Sequence, residues 1–338
     1  MDYLRDEGEL LDIHKEVDPN LEVAAIIRRA LETRSKAPLF HNVMGAKNGL
    51  FRMLGGMGCL GVTKESEFGR VAAHLGLPMT SSAQDIMQKM LSAKTAPPLP
   101  PSVVSTGPCK ENKLLGDQVD LLALPAPMVH EGDGGKYIQT YGFHIVQSPD
   151  GKWTSWSLQR AHIFDSKNLV GVAIGGGEHH GSILEKWKAL GKDMPWALVL
   201  GSPPAALMAS SMPLPENISE GDYIGAVMGH AIDVVKCETN DLLVPASTEI
   251  VLEGVVSISK TGLEGPLGEM HGYLYPGDKI PDMPLFRVDC ITHRNDAILP
   301  VCSAGRAVDE TVRDLKRFGC RPFVPIAADH HFSCSIPF

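Results

Sequence analysis

Residues 137–163, YIQTYGFHIVQSPDGKWTSWSLQRAHI, decide the fold class. Two runs rich in aromatic and β-branched residues, 137–147 and 153–163, flank Ser148-Pro149-Asp150-Gly151. An Asp-Gly step between such runs is a strong hairpin signal, because glycine accepts the positive φ that the turn demands. Working outward, residues 169–174, 196–200 and 249–259 read as further strands, with a helix at about 182–190 between them. The middle of the chain is therefore expected to be a barrel-like sheet with inserted helices. Upstream the character differs. Leu21, Ala24, Ile27 and Leu31 form a helical stripe behind Pro19 over residues 20–34; β-like runs follow at 38–43 and 49–54, and helical patterns at 65–75 and 82–92. That alternation points to an α/β layer. The proline-rich passage PPLPPSVVSTGP (97–108) cannot continue a helix and marks a boundary. The expectation is an α+β chain: an N-terminal α/β domain (1–108), a β-rich domain (109–311) and a divergent tail (312–338).

Composition bounds the function only loosely. Across 338 residues, 43% hydrophobic and 21% charged side chains are those of an ordinary globular protein. A net charge of −9 argues against nucleic acid, which demands clustered Lys and Arg. No apolar run of about 18 residues occurs, so no membrane span is expected. The charged start, MDYLRDE, lacks a secretory apolar core. Seven scattered cysteines without a Cys-x-x-Cys pair fit reduced thiols, which makes the cytoplasm the default location.

Four stretches carry chemistry-bearing residues. In TGLEGPLGEMHG (261–272), glycines and a proline surround Glu264, Glu269 and His271. Such a backbone is costly unless it must turn sharply or approach a ligand. A carboxyl held beside Leu267 and Met270 would have a raised pKa, as a proton donor requires, while an exposed turn with solvated acids fits the same residues. On an extended strand, Ser155, Ser157 and Gln159 would share one face and Trp156, Leu158 and Arg160 the other. Arg160 beside apolar side chains suits a carboxylate or phosphate, or else snorkels to the rim. The glycines before Glu178, His179 and His180 could cradle phosphate at a helix start. The helix in PPAALMASSM (203–212), followed by Glu216 and Glu220, reads as core whose end offers carbonyls to a hard cation.

Taken in order, these stretches resemble the UbiD family of prenylated-flavin-dependent decarboxylases, and within it the fungal ferulic acid (phenylacrylic acid) decarboxylases. The likeness runs from about Asp18 to Thr311 through VDPNLEVAAIIRRALET, KAPLFHNVMGAKNGLFRMLG, TGPCKEN, GGKYIQTYGFHIVQSPDGKWT, PWALVLGSPPAALMASSMPLPE, VKCETNDLLVPASTEIVLEG and EGPLGEMHGY. A series of that length is far more specific than a lone motif. The resemblance implies a split-barrel-like flavin domain and decarboxylation of α,β-unsaturated acids of the cinnamic, ferulic or sorbic type to the terminal alkene and carbon dioxide. It implies that Arg160 faces the substrate carboxylate and flavin, that Glu269 donates the proton, and that Glu264 orients Arg160. Prenylated FMN would lie along Ser155, Trp156, Ser157, Leu158, Gln159 and Arg160, with Glu178, His179 and Glu220 nearby. Manganese would be held by Ser155, His179 and Glu220, and potassium by Trp156, Ala209, Ser210, Met212 and Glu220. Ile174, Glu178, Met270 and Thr311 would line the substrate pocket. The implied partners are the small unsaturated acid, a flavin prenyltransferase that supplies the cofactor, and a second copy in a homodimer.

Three departures from the family pattern accompany the likeness. Ser155 stands where the family has an asparagine metal ligand, and a hydroxyl is a shorter, weaker oxygen donor than an amide. Glu178 replaces a glutamine, adding negative charge beside the substrate or flavin phosphate. The family's further C-terminal domain, which supplies a phosphate-binding lysine, part of the pocket and the dimer interface, has no counterpart after Thr311, so a C-terminally truncated chain is expected. A truncated, non-catalytic remnant or interaction protein is accordingly the alternative reading; an unrelated metal hydrolase built on Glu264, Glu269 and His271 is the weakest.

Overall fold

The computed structural model describes residues 1–173, 179–212, 214–268 and 282–305. Short helix α1 (Asp2–Asp6) leads into β1 (Leu10–Ile13), then α2 (Glu22–Glu32), β2 (Ala37–Phe40) and β3 (Arg52–Gly55). The expected α2 stripe is buried at Ala24, Ile27 and Leu31, but Leu21 precedes the helix at φ +70°. The helix begins at Glu22, two residues later than expected, because Glu22 turns back to accept the Asp18 amide at 2.8 Å, closing the Asp18–Asn20 turn. Helices α3 (Gly69–His74) and α4 (Ala83–Ala93) follow. Ser82 caps α4, exchanging hydrogen bonds with Asp85 in a capping box.

Next come β4 (Ser102–Val103), β5 (Asn112–Leu115), β6 (Tyr137–Gln139) and the hairpin of β7 (Gly142–Gln147) with β8 (Thr154–Ser157). The hairpin forms where the Asp-Gly step puts it: His144 lies opposite Ser157, Gln147 opposite Thr154, and Gly151 takes φ +71°. Each run is broken into two strands, however. Thr140 and Tyr141 separate β6 from β7, and residues 158–160 separate β8 from β9 (Ala161–Ile163), which pairs with β6. The face alternation read along Ser155–Arg160 therefore stops at Ser157, and Arg160 lies in a connection between strands.

The remaining elements are β10 (Asn168–Gly171), α5 (His179–Ala189), β11 (Met194–Leu200), α6 (Pro204–Ser210), α7 (Glu220–Met228), β12 (Asp233–Lys236), β13 (Leu243–Pro245), β14 (Ile250–Gly262), β15 (Met283–His293) and β16 (Ile298–Val301). Nine strands form one antiparallel sheet in the order β6-β9-β10-β15-β14-β11-β7-β8, with β5 also on β15. Among the described residues its two ends do not pair, so it is a curled half-barrel rather than a closed barrel. A four-stranded sheet, β1-β2-β3-β16, draws its last strand from beyond the large sheet. The third sheet is β13-β12-β4. Cysteines 59, 109, 237, 290 and 302 are buried. No helix among the described residues is long and apolar enough to cross a membrane.

One buried cluster joins β7, β11, β15 and α5. The rings of His144 and Trp196 lie 5.8 Å apart, and those of His144 and Phe286 5.4 Å. The His144 ring has no exposed surface, and burial pulls its pKa down to about 4 from 6.5. In the unfolded chain this histidine takes up a proton near its ordinary pKa, so the unfolded state binds more protons between those values. Stability from His144 is present above about pH 6.5 and is lost as the pH falls toward 4. Urea unfolding at pH 7 and pH 5 should therefore show a loss larger by roughly 2 kcal/mol in the wild type than in His144→Gln. An equal loss in both proteins would assign the acid sensitivity elsewhere.

Candidate active site

The long strand β14 delivers the candidate centre. Past its end, residues 263–268 turn back over the segment that precedes β6. Two contacts through main-chain amides fix that docking. The Gly134 amide donates to the Pro266 carbonyl at 2.7 Å, and the Gly268 amide donates to Asp133 Oδ1 at 2.8 Å. Asp133 Oδ2 accepts the His130 amide at 2.9 Å, so one buried carboxylate ties the two loops together. Gly134 has no substitute, since a Cβ there would meet the Gly265 carbonyl oxygen at 2.0 Å. His130 continues the tie, with Nδ1 3.2 Å from Asp133 and Nε2 2.6 Å from the Ala304 carbonyl. The Asp133 hydrogen bond raises its pKa against the opposing effect of burial.

Docking brings Glu264 against Arg160. Arg160 Nε and Nη2 each donate to a different Glu264 oxygen at 2.8 Å, a two-pronged pair in which the carboxylate is fully buried and the guanidinium 21% exposed. Burial works against the arginine's charge, but the Glu264 hydrogen bonds and charge outweigh it and raise its pKa. The Tyr137 hydroxyl donates to Glu264 Oε1 at 2.9 Å. Burial and the neighbouring Glu264 charge push the Tyr137 pKa up, so the phenol stays a donor. A guanidinium fork held in plane by a buried partner suits a second carboxylate or a phosphate.

A second group gathers at the start of α7. Glu220, 2% exposed in its first turn, accepts the Trp156 amide at 2.8 Å through Oε2 and faces His179 Nδ1 at 3.3 Å through Oε1. The Glu220 hydrogen bond raises the His179 pKa despite partial burial. The Trp153 ring packs edge-on against His179, with centroids 4.9 Å apart. Ser155 and Ser157 share a face as expected, their hydroxyls 2.7 Å apart. The end of α6 abuts the same strand: the Leu158 amide donates to the Ser210 carbonyl at 3.2 Å, the Met212 amide to Ala209, and the Leu214 amide to Met212.

Imidazole nitrogen and carboxylate oxygen suit a manganese-type ion, and carbonyls with a spare lone pair suit an alkali cation. Among the described residues, no three His, Cys, Asp or Glu side chains close around a common point. His179 and Glu220 supply one imidazole nitrogen and one carboxylate toward such an ion. Of the expected residues, Arg160 and Glu264 are brought together, as are Ser155, Trp156, His179, Ser210 and Glu220 around β8. Ile174, Glu178, Glu269, Met270, His271 and Thr311 lie outside the described residues. Sequence reasoning missed Tyr137, Asp133 and His130. The Gly132–Gly135 glycines were a signal for close backbone approach, but nothing in spacing connects them to Glu264.

The described residues thus carry a curled antiparallel sheet with a buried carboxylate–guanidinium pair and a second, His–Glu pair. The family model of the 3-octaprenyl-4-hydroxybenzoate carboxy-lyase Rift-related domain matches residues 102–307, and that of the N-terminal domain matches 1–90; the chain belongs to the UbiD family. It is 48% identical over 310 residues to pyrrole-2-carboxylic acid decarboxylase of Pseudomonas aeruginosa, and 47% over 312 to ferulic acid decarboxylase 1 of Saccharomyces cerevisiae. These alignments cover 92% and 91% of this chain but 62% of each relative, so the chain spans about three fifths of their length. Among solved structures it is similar to vanillic acid decarboxylase of Sedimentibacter hydroxybenzoicus in closed form (TM-score 0.82, 27% identity, 92% of this chain and 64% of that one). It is also similar to an evolved dimeric form of the UbiD-class enzyme HmfF of Pelotomaculum thermopropionicum in complex with prFMN (TM-score 0.80, 27% identity, 94% and 68%).

Removing one partner of a buried ion pair strands the other. Arg160→Met should destabilise the protein by about 3 kcal/mol, and adding Glu264→Gln should recover most of that loss. Urea unfolding of the four proteins checks this, and additive losses would deny the coupling.

Proposed function

We propose that this chain carries out non-oxidative, prenylated-FMN-dependent decarboxylation of α,β-unsaturated acids of the cinnamic, ferulic or sorbic type, giving the terminal alkene and carbon dioxide. The observation that carries the reading is the two-pronged Arg160–Glu264 pair at 2.8 Å, with the carboxylate fully buried and the guanidinium 21% exposed. Prenylated FMN, when bound, supplies the electron sink for cleaving the carbon–carbon bond. The chain's own part is positioning, charge and one proton. Arg160 binds the substrate carboxylate, and buried Glu264 fixes the plane of the fork. Tyr137 donates to Glu264 and keeps its Oε1 from turning away. Glu269, five residues past Glu264 in the sequence, gives its proton to the carbon that carbon dioxide leaves.

The cofactor would lie along Ser155–Arg160; His179 and Glu220 would hold manganese, and Trp156, Ala209, Ser210 and Met212, with Glu220 shared, would hold potassium. The Ser155 hydroxyl, engaged by Ser157 at 2.7 Å, makes the third manganese position the weak one. Ile174, Glu178, Met270 and Thr311 would contact the substrate. The protein would work in the cytoplasm, as a homodimer, with cofactor supplied by a flavin prenyltransferase.

Co-expression with a flavin prenyltransferase and assay on cinnamate, ferulate, sorbate and pyrrole-2-carboxylate tests the reading. Terminal alkene from the open-chain acids is expected, and Arg160→Ala and Glu269→Gln should each abolish it. Full turnover in either variant would remove that residue from the chemistry. Ser155→Asn should raise the manganese content of the purified, reconstituted protein, measured by metal analysis. An unchanged content would place the limit on metal binding elsewhere.

A further inference from the structure

Arg160 has to be aimed from an awkward place. β8 ends at Ser157 and β9 begins at Ala161, so the arginine sits on a three-residue connection between two paired strands. Leu158 gives that connection little packing, since it is 37% exposed. Its anchors are polar. The Leu158 amide reaches the Ser210 carbonyl at 3.2 Å, His144 Nε2 lies 3.0 Å from the Gln159 carbonyl, and the Arg160 fork closes on Glu264.

We infer that His144 is a positioning residue for Arg160, acting through the Gln159 carbonyl, with its tautomer set by Trp196. The tautomer follows from the partners. Trp196 Nε1 can only donate, and it lies 2.7 Å from His144 Nδ1, so Nδ1 carries the lone pair. The proton therefore resides on Nε2, which faces a carbonyl that can only accept. The ring cannot exchange these roles by turning, because it is buried between Trp196, His180 and Phe286 at centroid distances of 5.8, 5.6 and 5.4 Å. A buried donor left unpaired is costly, so the ring's fixed orientation becomes a fixed height for the Gln159 peptide. The next side chain along is the guanidinium. The bland alternative is that His144 exists to give Trp196 an acceptor, and an apolar ring would otherwise fill the same space.

The inference deepens the reading of this site as a flavin decarboxylase and rests on it for what Arg160 does, but its test does not. Two amide substitutions separate the His144 contacts: His144→Gln can still donate toward Gln159, whereas His144→Asn can accept from Trp196 but falls short of Gln159. In the full-length, 15N-labelled, ligand-free protein, solvent exchange of the Arg160 Nε–H is measured by NMR, with Arg160→Lys used for assignment. Exchange should be about tenfold faster in His144→Asn and within about twofold of wild type in His144→Gln, the difference expected for one hydrogen bond. Trp196→Phe leaves the imidazole in place but frees its tautomer, and should speed exchange by about threefold. Equal exchange in wild type and both amide variants would overturn the inference, as would fast exchange in the Gln variant with slow exchange in the Asn variant. If His144→Asn does not fold, the comparison of wild type, His144→Gln and Trp196→Phe decides, and no change in the last overturns the tautomer clamp. A parallel titration with FMN, followed by flavin fluorescence, should show weaker binding in Trp196→Phe. Failure of the wild type to bind FMN would sink the flavin reading, while the exchange rates would still decide the role of His144.

Discussion

A carboxylate with no exposed surface requires a cation and hydrogen-bond donors on the spot, because the cost of taking its charge out of water runs to several kcal/mol. Glu264 has both: the Arg160 fork on its two oxygens and the Tyr137 hydroxyl on one of them. Much of the surrounding architecture serves to keep these three groups in register. β14 carries Glu264 to the site, β6 carries Tyr137, and the loop between β8 and β9 carries Arg160. β6 pairs directly with β9, which brings Tyr137 near Arg160, whereas Glu264 reaches them from past the end of β14, three strands from β9 in the sheet. A charge pair of this kind adds little net stability, since desolvation offsets most of the attraction. What it provides is a single allowed orientation of a planar cation.

Around that pair, the loops are held by main-chain amides and carbonyls more than by apolar contact. Asp133 receives amides from two loops, and Gly134 lies so close to Gly265 that no side chain fits between them. Glu220 does the equivalent for the second cluster, one oxygen on the Trp156 amide and the other toward His179. Each carboxylate thus has a double duty: it fixes backbone and presents charge.

The sequence was most informative where a local signal had a local cause. The Asp-Gly step located the hairpin, Ser82 and Asp85 marked the start of α4, and the α2 stripe found its buried face. It was least informative where the cause was distant. Nothing local tells a strand to stop at Ser157, because the break depends on α6 and on the β6–β9 pairing. The half-barrel was expected as barrel-like, but its strand order depends on pairings between residues far apart. The Arg160–Glu264 coupling was readable through family likeness alone, as spacing left each residue with an ordinary surface explanation. Tyr137, Asp133, His130 and His144 escaped notice because a single polar residue in a strand or loop has no periodicity to betray it.

The first sheet of the chain is finished by one of its last described strands: Arg52 of β3 lies beside Ile298 of β16, in parallel. During synthesis, β1, β2 and β3 leave the ribosome long before that neighbour exists. Until then the β3 edge presents unpaired amides and carbonyls, an open template for pairing with other chains. Contacts so far apart in sequence form slowly, since the whole loop between them must first be gathered. The two sheets are therefore not independent products of an assembly line. The vulnerable period of this protein's life is its synthesis, when a nearly complete N-terminal layer waits for its closing strand.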